Sequence, residues 1–324
     1  MRELWGELKK LARLSTLAAA IGWGIFVGSL NSLHVASAAA QYEIATTSYD
    51  FVAHPESEES LCDFVAQPVG PKCDAAAREE LQFAERFMEE TSALYPLASA
   101  AVDPLGSGGI VAGFMASLVG LLIVAGIAGA HVGGEWGHGT VKQVLAVDPS
   151  RAKFFLLKVL SVWIAAVALL LAAWLVVAIS SIVMKDWYTV PPPPSGTDLA
   201  SFTAQQITRG LLVVAVVAVL ATSVAVFVRG AIGTLSVTAG IIVAAFVATA
   251  SRSTFRLSPA YWVAAWMGFE PSALWRDHLW VDRFPLIDPD ASLVPNRSVA
   301  LAALVALAAV LGAISTIYLA RRDV

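Results

Sequence analysis

The sequence predicts an all-α polytopic membrane protein with six transmembrane helices. Of its 324 residues, 57% are hydrophobic and 14% are charged, and its mean hydropathy is +0.71, whereas soluble domains carry about 25% charged residues. Six stretches lack Asp, Glu, Lys and Arg, and each is long enough to cross a hydrocarbon core, which takes roughly 20 residues. Lipid offers the backbone no hydrogen-bond partner, so each stretch should be helical. The stretches are 14–42, 104–134, 159–184, 210–228, 230–251 and 298–320.

These stretches divide the chain into membrane spans and the segments that join them. The spans are expected at 14–42, 104–134, 154–184, 206–228, 230–251 and 298–320. On the cytoplasmic side we expect an interfacial helix at 1–13, an elbow at 135–153 and a tail at 321–324. On the external side we expect an acidic cap at 43–103, a Pro-rich connector at 185–205, and external or re-entrant Trp-rich helices at 252–297.

Basic residues near the spans favour a cytoplasmic N-terminus, because Lys and Arg are enriched at cytoplasmic span ends. Lys9, Lys10 and Arg13 precede the first span, and the segment 142–158 is also basic. Three arginines flank external ends and count against this orientation: Arg252, Arg256 and Arg297. With six spans both termini are then cytoplasmic, and we expect the chain in the plasma membrane of a bacterium.

The N-terminal segment has two alternative interpretations. Apolar residues recur at helical spacing opposite basic ones in 1–13, which is typical of a helix lying in the membrane interface; a simple extension of the first span is the alternative. Basic residues, an apolar core and the small residues 36–40 also resemble a cleaved secretory signal. The apolar run is long for a signal, which favours a retained first span.

The external segment 43–103 contains both cysteines of the chain, Cys62 and Cys73. Outside the membrane a disulfide can form and persist, and closing so short a loop contributes about 2–3 kcal/mol. We therefore expect a bridge, with two unpaired thiols as the alternative. Residues 74–94 carry apolar side chains at helical spacing, which predicts a helix. Its acidic surface suits cationic compounds or is simply a solvated helix face.

The last external segment is rich in tryptophan. Ser258-Pro259 and Glu270-Pro271 place proline where helices start, so two short helices are expected. Aromatic residues favour the headgroup region, which predicts interfacial anchoring; a moving external gate is the sharper hypothesis. The tryptophans concerned are Trp262, Trp266, Trp275 and Trp280.

Sites for chemistry within the chain are not indicated. The sequence has no Gly-Lys dipeptide, so the phosphate-binding loop motif is absent. No catalytic triad or metal-ligand spacing stands out, so no catalytic residue, metal or cofactor is expected in this chain, and no nucleic-acid partner. Arg209 borders the fourth span and is expected to snorkel outward. If that span starts earlier, Arg209 could instead meet an anionic substrate.

The segment 135–153 has the pattern of a rigid elbow. Thr140-x-x-Gln143 is a capping-box pattern, and Val141 is expected to share a helix face with Val144 and Leu145. Asp148-Pro149 then predicts a new helix start that leads into the third span.

Glu135-x-x-x-Gly139-Thr140-Val141, followed by Pro149-x-Arg151, resembles the type-2 permease family of ATP-binding-cassette (ABC) transporters. The six-span layout, the N-terminal interfacial helix and the short helices before the sixth span fit the same family. The resemblance implies a homodimer, or a heterodimer with a related permease, seated on two ATPase subunits that bind ATP and Mg. It also implies that an exposed Glu135 pairs with a basic residue of the ATPase. The elbow residues it assigns to coupling are Glu135, Gly139, Thr140, Val141, Pro149 and Arg151.

Two other function classes stay open. An ion-coupled secondary carrier would need ionisable groups or broken helices at the membrane midplane, and the charge-free spans are expected to supply neither. A non-transporting sensor or scaffold subunit, with 43–103 as its functional part, is the other alternative. The leading interpretation is the permease subunit of an ATP-driven exporter of an unidentified, amphipathic substrate that is drug-, peptide- or lipid-like.

Overall fold

The computed structural model describes residues 14–53, 71–92, 95–147, 150–188, 199–249, 257–268 and 296–321. Every secondary-structure element within these ranges is helical, which confirms the all-α prediction. The elements are α1 (Leu14–Ala53), α2 (Pro71–Ser92), α3 (Tyr95–Val102), α4 (Ser107–Ala116), α5 (Leu118–Ala128), a π-helix (Gly129–Gly133), α6 (Gly134–Gly137), α7 (Thr140–Val147), α8 (Arg151–Trp187), α9 (Leu199–Val228), α10 (Ala231–Ala248), α11 (Pro259–Met267) and α12 (Arg297–Arg321).

Among the described residues, five helical stretches are long and apolar enough to cross a membrane, so the chain is a membrane-embedded protein. They are Leu118–Gly137, Arg151–Trp187, Leu199–Val228, Ala231–Ala248 and Arg297–Arg321. The first predicted span, 14–42, lies on α1, where the described apolar stretch Ile21–Leu33 is shorter than these five. A span over 14–42 therefore stays a prediction. The predicted interfacial helix 1–13 lies outside the described residues.

The second span is interrupted, although the sequence predicted one uniform helix over 104–134. Helix α4 ends at Ala116 and α5 begins at Leu118, because Ser117 has an extended backbone with φ −74° and ψ 167°. The Ser117 hydroxyl donates to the Phe114 carbonyl at 2.6 Å. A Cβ on Gly120 would lie 2.4 Å from that same carbonyl oxygen, so only glycine fits here. The expectation of one uninterrupted helix over 104–134 is wrong.

The chain forms two compact units. The first comprises Met1–Trp23, Val111–Ala172 and Gln205–Val324. Within it, α5 and the π-helix pack on α10, and α11 packs on α10 and α12. Most residues of α11 are buried, so this helix is part of the packed interior of the unit.

The second unit comprises Gly24–Ile110 and Ala173–Ala204. Two side chains of this unit donate hydrogen bonds to main-chain carbonyls: Asn31 Nδ2 to Ala101 at 3.2 Å and Trp174 Nε1 to Pro104 at 3.0 Å. Helix α2 covers most of the predicted helix 74–94. Cys73 is buried on α2, whereas Cys62 lies outside the described residues, so the bridge between them stays a prediction.

Candidate functional site: an elbow and its contacts

The elbow consists of α6, a turn at His138 and Gly139, and α7. Gly139 has φ 73°, in the left-handed region, and a Cβ there would meet no atom within 4 Å. Glycine is therefore required by the backbone and not by crowding. The Thr140 hydroxyl donates back across the turn to the Glu135 carbonyl at 3.0 Å, whereas the capping-box pattern predicted an acceptor role toward α7. Helix α8 restarts at Arg151, while Asp148 and Pro149 lie outside the described residues.

Glu135 joins the elbow to α8. Its Oε2 lies 2.5 Å from Nζ of Lys158, and the two side chains are 13% and 2% exposed. The Lys158 ammonium also lies 5.5 Å from the ring centroid of Phe154. Taking two charges out of water is costly unless they stay paired, so this contact holds the elbow on α8. The expectation of an exposed Glu135 is wrong, because the side chain faces into the protein.

Trp136 joins the elbow to the link between α9 and α10. The guanidinium carbon of Arg229 lies 5.0 Å from the centroid of the Trp136 ring, which is cation–π geometry. Arg229 is the non-glycine residue with positive φ, 59°, among the described residues. Its Nε and Nη2 atoms and the Trp136 Nε1 atom are buried without a hydrogen-bond partner in the described part of the chain. The link therefore carries backbone strain as well as unsatisfied donors.

Arg151 joins the start of α8 to the end of α12. Its Nη1 atom donates to the carbonyls of Leu319 and Ala320, the latter at 3.0 Å. A cation that bonds to the last carbonyls of a helix satisfies groups that have no partner inside the helix. Arg151, which the resemblance assigns to the coupling region, thus has a structural contact of its own.

The outer side of α7 is solvent-exposed. Lys142, Gln143, Val144 and Ala146 are exposed there, and Val144 has a relative accessibility of 41%. Val141 is buried, so the predicted shared face of Val141, Val144 and Leu145 is not formed. The exposed side of α7 therefore combines polar residues with one exposed valine.

The π-helix before the elbow packs closely on α10. A Cβ on Gly133 would lie 2.7 Å from Thr234 Oγ1 and 2.8 Å from the Gly230 carbonyl. His131, in the same π-helix, lies 3.2 Å from the Ser161 hydroxyl on α8. A π-turn inside an α-helical run often marks a functional position, and here it leads directly into Glu135.

The remaining predicted site residues lie away from the elbow. Arg209 lies inside α9, which begins at Leu199, and it bonds to the Met267 carbonyl at 3.3 Å. Trp266 Nε1 donates to the Arg209 carbonyl at 3.2 Å, and Trp262 lies on the same helix, α11. Trp275 and Trp280 lie outside the described residues.

Two elbow partners, Lys158 and Arg229, were not recognised from the sequence. In the sequence, each is a basic residue beside a charge-free run, Lys158 before 159–184 and Arg229 before 230–251. Neither position carries a signal that distinguishes it from an ordinary basic flank.

Within the described ranges, no three His, Cys, Asp or Glu side chains are grouped as metal ligands would be. Comparisons with protein-family models, with curated proteins and with solved structures found no match to this chain.

Proposed function

We propose that this chain is the membrane-spanning permease subunit of an ATP-driven ABC exporter. The observation that carries the proposal is the elbow: its exposed helix α7 follows α6, and α6 is held to α8 by Glu135–Lys158 and to the link between α9 and α10 by Trp136–Arg229. The sequence resemblance assigns this same segment to the contact with an ATPase. The ATPase, with its ATP and Mg, is a separate subunit, since this chain has no phosphate-binding loop.

The contacts of the elbow suggest how movement would be transmitted. A partner that binds the exposed side of α7 would move α7 and α6 together. Glu135–Lys158 would pass this movement to α8, Trp136–Arg229 to the link between α9 and α10, and Arg151 to α12. Packed helices with such pairs switch between discrete arrangements instead of bending continuously. Two chains would thereby alternate between inward-open and outward-open states.

The proposed assembly is a dimer, of two copies or with a related permease, in the plasma membrane of a bacterium. Both termini and the elbow lie on the cytoplasmic side, and the segment 43–103, with the Cys62–Cys73 bridge, lies outside as a small cap. The substrate class is amphipathic: a drug-, peptide- or lipid-like compound.

The test is ATP hydrolysis by the reconstituted complex across a panel of such compounds. We expect stimulation by a subset of compounds, and loss of that stimulation in Lys142→Glu, which reverses a charge on the exposed side of α7. Lys185→Glu is the matched control, because it makes the same charge change at an exposed lysine in the last turn of α8, whereas the elbow precedes the first turn of that helix. If both variants show the same stimulation of ATP hydrolysis, the exposed side of α7 does not couple this chain to the ATPase.

An ion-coupled secondary carrier is the second candidate, and the break at Ser117 favours it. Discontinuous helices supply binding groups in many such carriers, and the buried Glu135–Lys158 pair adds ionisable groups at the end of a span. Uptake driven by an imposed ion gradient in vesicles without ATP would support this candidate. Transport that requires ATP and the partner subunit would exclude it.

A further inference from the structure

Two arginines from different helices converge on one glycine at the end of α11. Gly268 follows this helix with φ 82°, and a Cβ at this position would lie 2.9 Å from Nη2 of Arg297 and 3.4 Å from Nη1 of Arg209. Arg209 belongs to α9, and Arg297 is the first residue of α12. The two guanidinium groups therefore meet at one point of the first unit.

Positive charge at this point is not balanced by a carboxylate of the described residues. Arg209 donates to the Met267 carbonyl at 3.3 Å and to Gln205 Oε1 at 3.1 Å, which are both neutral acceptors. Arg297 lies at the N-terminus of a 25-residue helix, where the helix dipole adds further positive potential. Like charges held together in this way favour an anion between them.

The arrangement is held in place by neutral contacts. Trp266 Nε1 donates to the Arg209 carbonyl at 3.2 Å, and the buried Gln206 side chain donates to the Met267 carbonyl at 3.3 Å. Met267 itself is fully buried. Arg297 is exposed and Arg209 partly exposed, so an anion can reach the pair from one side while the other side is packed.

We propose that Arg209 and Arg297 form a binding site for a phosphate-type oxyanion. Planar guanidinium groups bind such oxygens through charge-assisted hydrogen bonds. Helices α9 and α12 are each long and apolar enough to cross a membrane, and Arg209 and Arg297 directly precede the charge-free runs of these helices, 210–228 and 298–320. An anionic phospholipid headgroup and free inorganic phosphate share this chemistry. The site does not depend on the export proposal, because binding here needs no ATPase.

The experiment uses the purified full-length chain in neutral detergent, titrated by calorimetry with three probes: short-chain phosphatidylglycerol, short-chain phosphatidylcholine and inorganic phosphate. We expect phosphatidylglycerol or inorganic phosphate to bind at least about tenfold more tightly than phosphatidylcholine. Arg209→Gln and Arg297→Gln should each weaken that binding about tenfold or more, since each removes charge-assisted bonds. Lys185→Gln, which removes a charge from the exposed end of α8, should leave it unchanged.

The outcomes are distinct. Arginine-dependent binding of phosphatidylglycerol alone assigns a lipid headgroup, and arginine-dependent binding of inorganic phosphate as well assigns a general oxyanion site. Because Arg297 is exposed, Arg297→Gln should fold even if Arg209→Gln does not, and thermal unfolding of each variant checks this. The proposal is overturned if neither phosphatidylglycerol nor inorganic phosphate binds. It is also overturned if the Arg297→Gln variant binds these two probes as tightly as the unmodified chain does.

Discussion

The Nζ atom of Lys158 lies 2.5 Å from Oε2 of Glu135, and the lysine side chain is 2% exposed. The ion pair joins α6, which precedes the turn at His138 and Gly139, to the long helix α8. Breaking it from one side leaves a buried charge without its partner, which is more costly than removing both charges. The elbow and α8 are therefore expected to move together.

Removing one member of this pair should destabilise the protein more than removing both. We expect Lys158→Met and Glu135→Gln each to lower stability by about 3 kcal/mol, the cost of an unpaired buried charge. The double variant should recover part of that loss. Thermal unfolding of the four proteins in detergent forms a double-mutant cycle. Additive losses would mean that the two side chains do not interact.

At Arg229 the backbone conformation should lower the stability of the protein, whereas the side chain should raise it. Its φ of 59° is costly for a residue with a Cβ, while its guanidinium lies over the Trp136 ring. Arg229→Gly and Arg229→Val both remove the cation–π contact, but only valine keeps the strain. We therefore expect the valine variant to be less stable than the glycine variant by about 1–2 kcal/mol. Equal thermal midpoints would show that the strain is not present in solution.

Gly133 should tolerate no added methyl group. A Cβ there would lie 2.7 Å from Thr234 Oγ1 and against the backbone of Gly230, so Gly133→Ala should push the π-helix away from α10. We expect a loss of about 1–3 kcal/mol, typical of overpacking. The neighbouring Gly134→Ala is the control, since a Cβ there meets no atom within 4 Å. If both variants unfold at the same temperature, the close packing of the π-helix on α10 is incorrect.

Gly139 should be replaceable only by residues that accept positive φ. Asparagine visits the left-handed region more readily than valine does, so Gly139→Asn should be more stable than Gly139→Val by about 1 kcal/mol or more. The measurement is again thermal unfolding. The reverse order would show that a constraint other than φ selects glycine at this turn.

The helices were predictable because they depend on local properties of the sequence. Charge-free runs lie on all five helical stretches that are long and apolar enough to cross a membrane, and Ser258 before Pro259 located the start of α11, where the serine hydroxyl accepts a hydrogen bond from the Ala260 amide. Such signals require no knowledge of which helices are neighbours.

The contacts of the elbow were not predictable, because they depend on which helices are neighbours in the fold. Lys158 directly precedes a charge-free run, so its sequence context is that of an ordinary basic flank, and only the packing of α8 brings it to Glu135. The break at Ser117 lies in a stretch, 105–134, that contains neither charge nor proline, and it depends on the close fit of Gly120 against Phe114. The role of Arg229 depends on a backbone angle that its side chain does not favour.

Copurification from the native membrane measures whether an ATPase binds to the elbow. The unmodified chain should carry a soluble ATPase in stoichiometric amount, and Val144→Glu should lose it while keeping its thermal stability, because Val144 is exposed on α7. A chain that purifies without an ATPase, and whose properties do not change with ATP, would contradict the proposed function and favour the sensor or scaffold alternative.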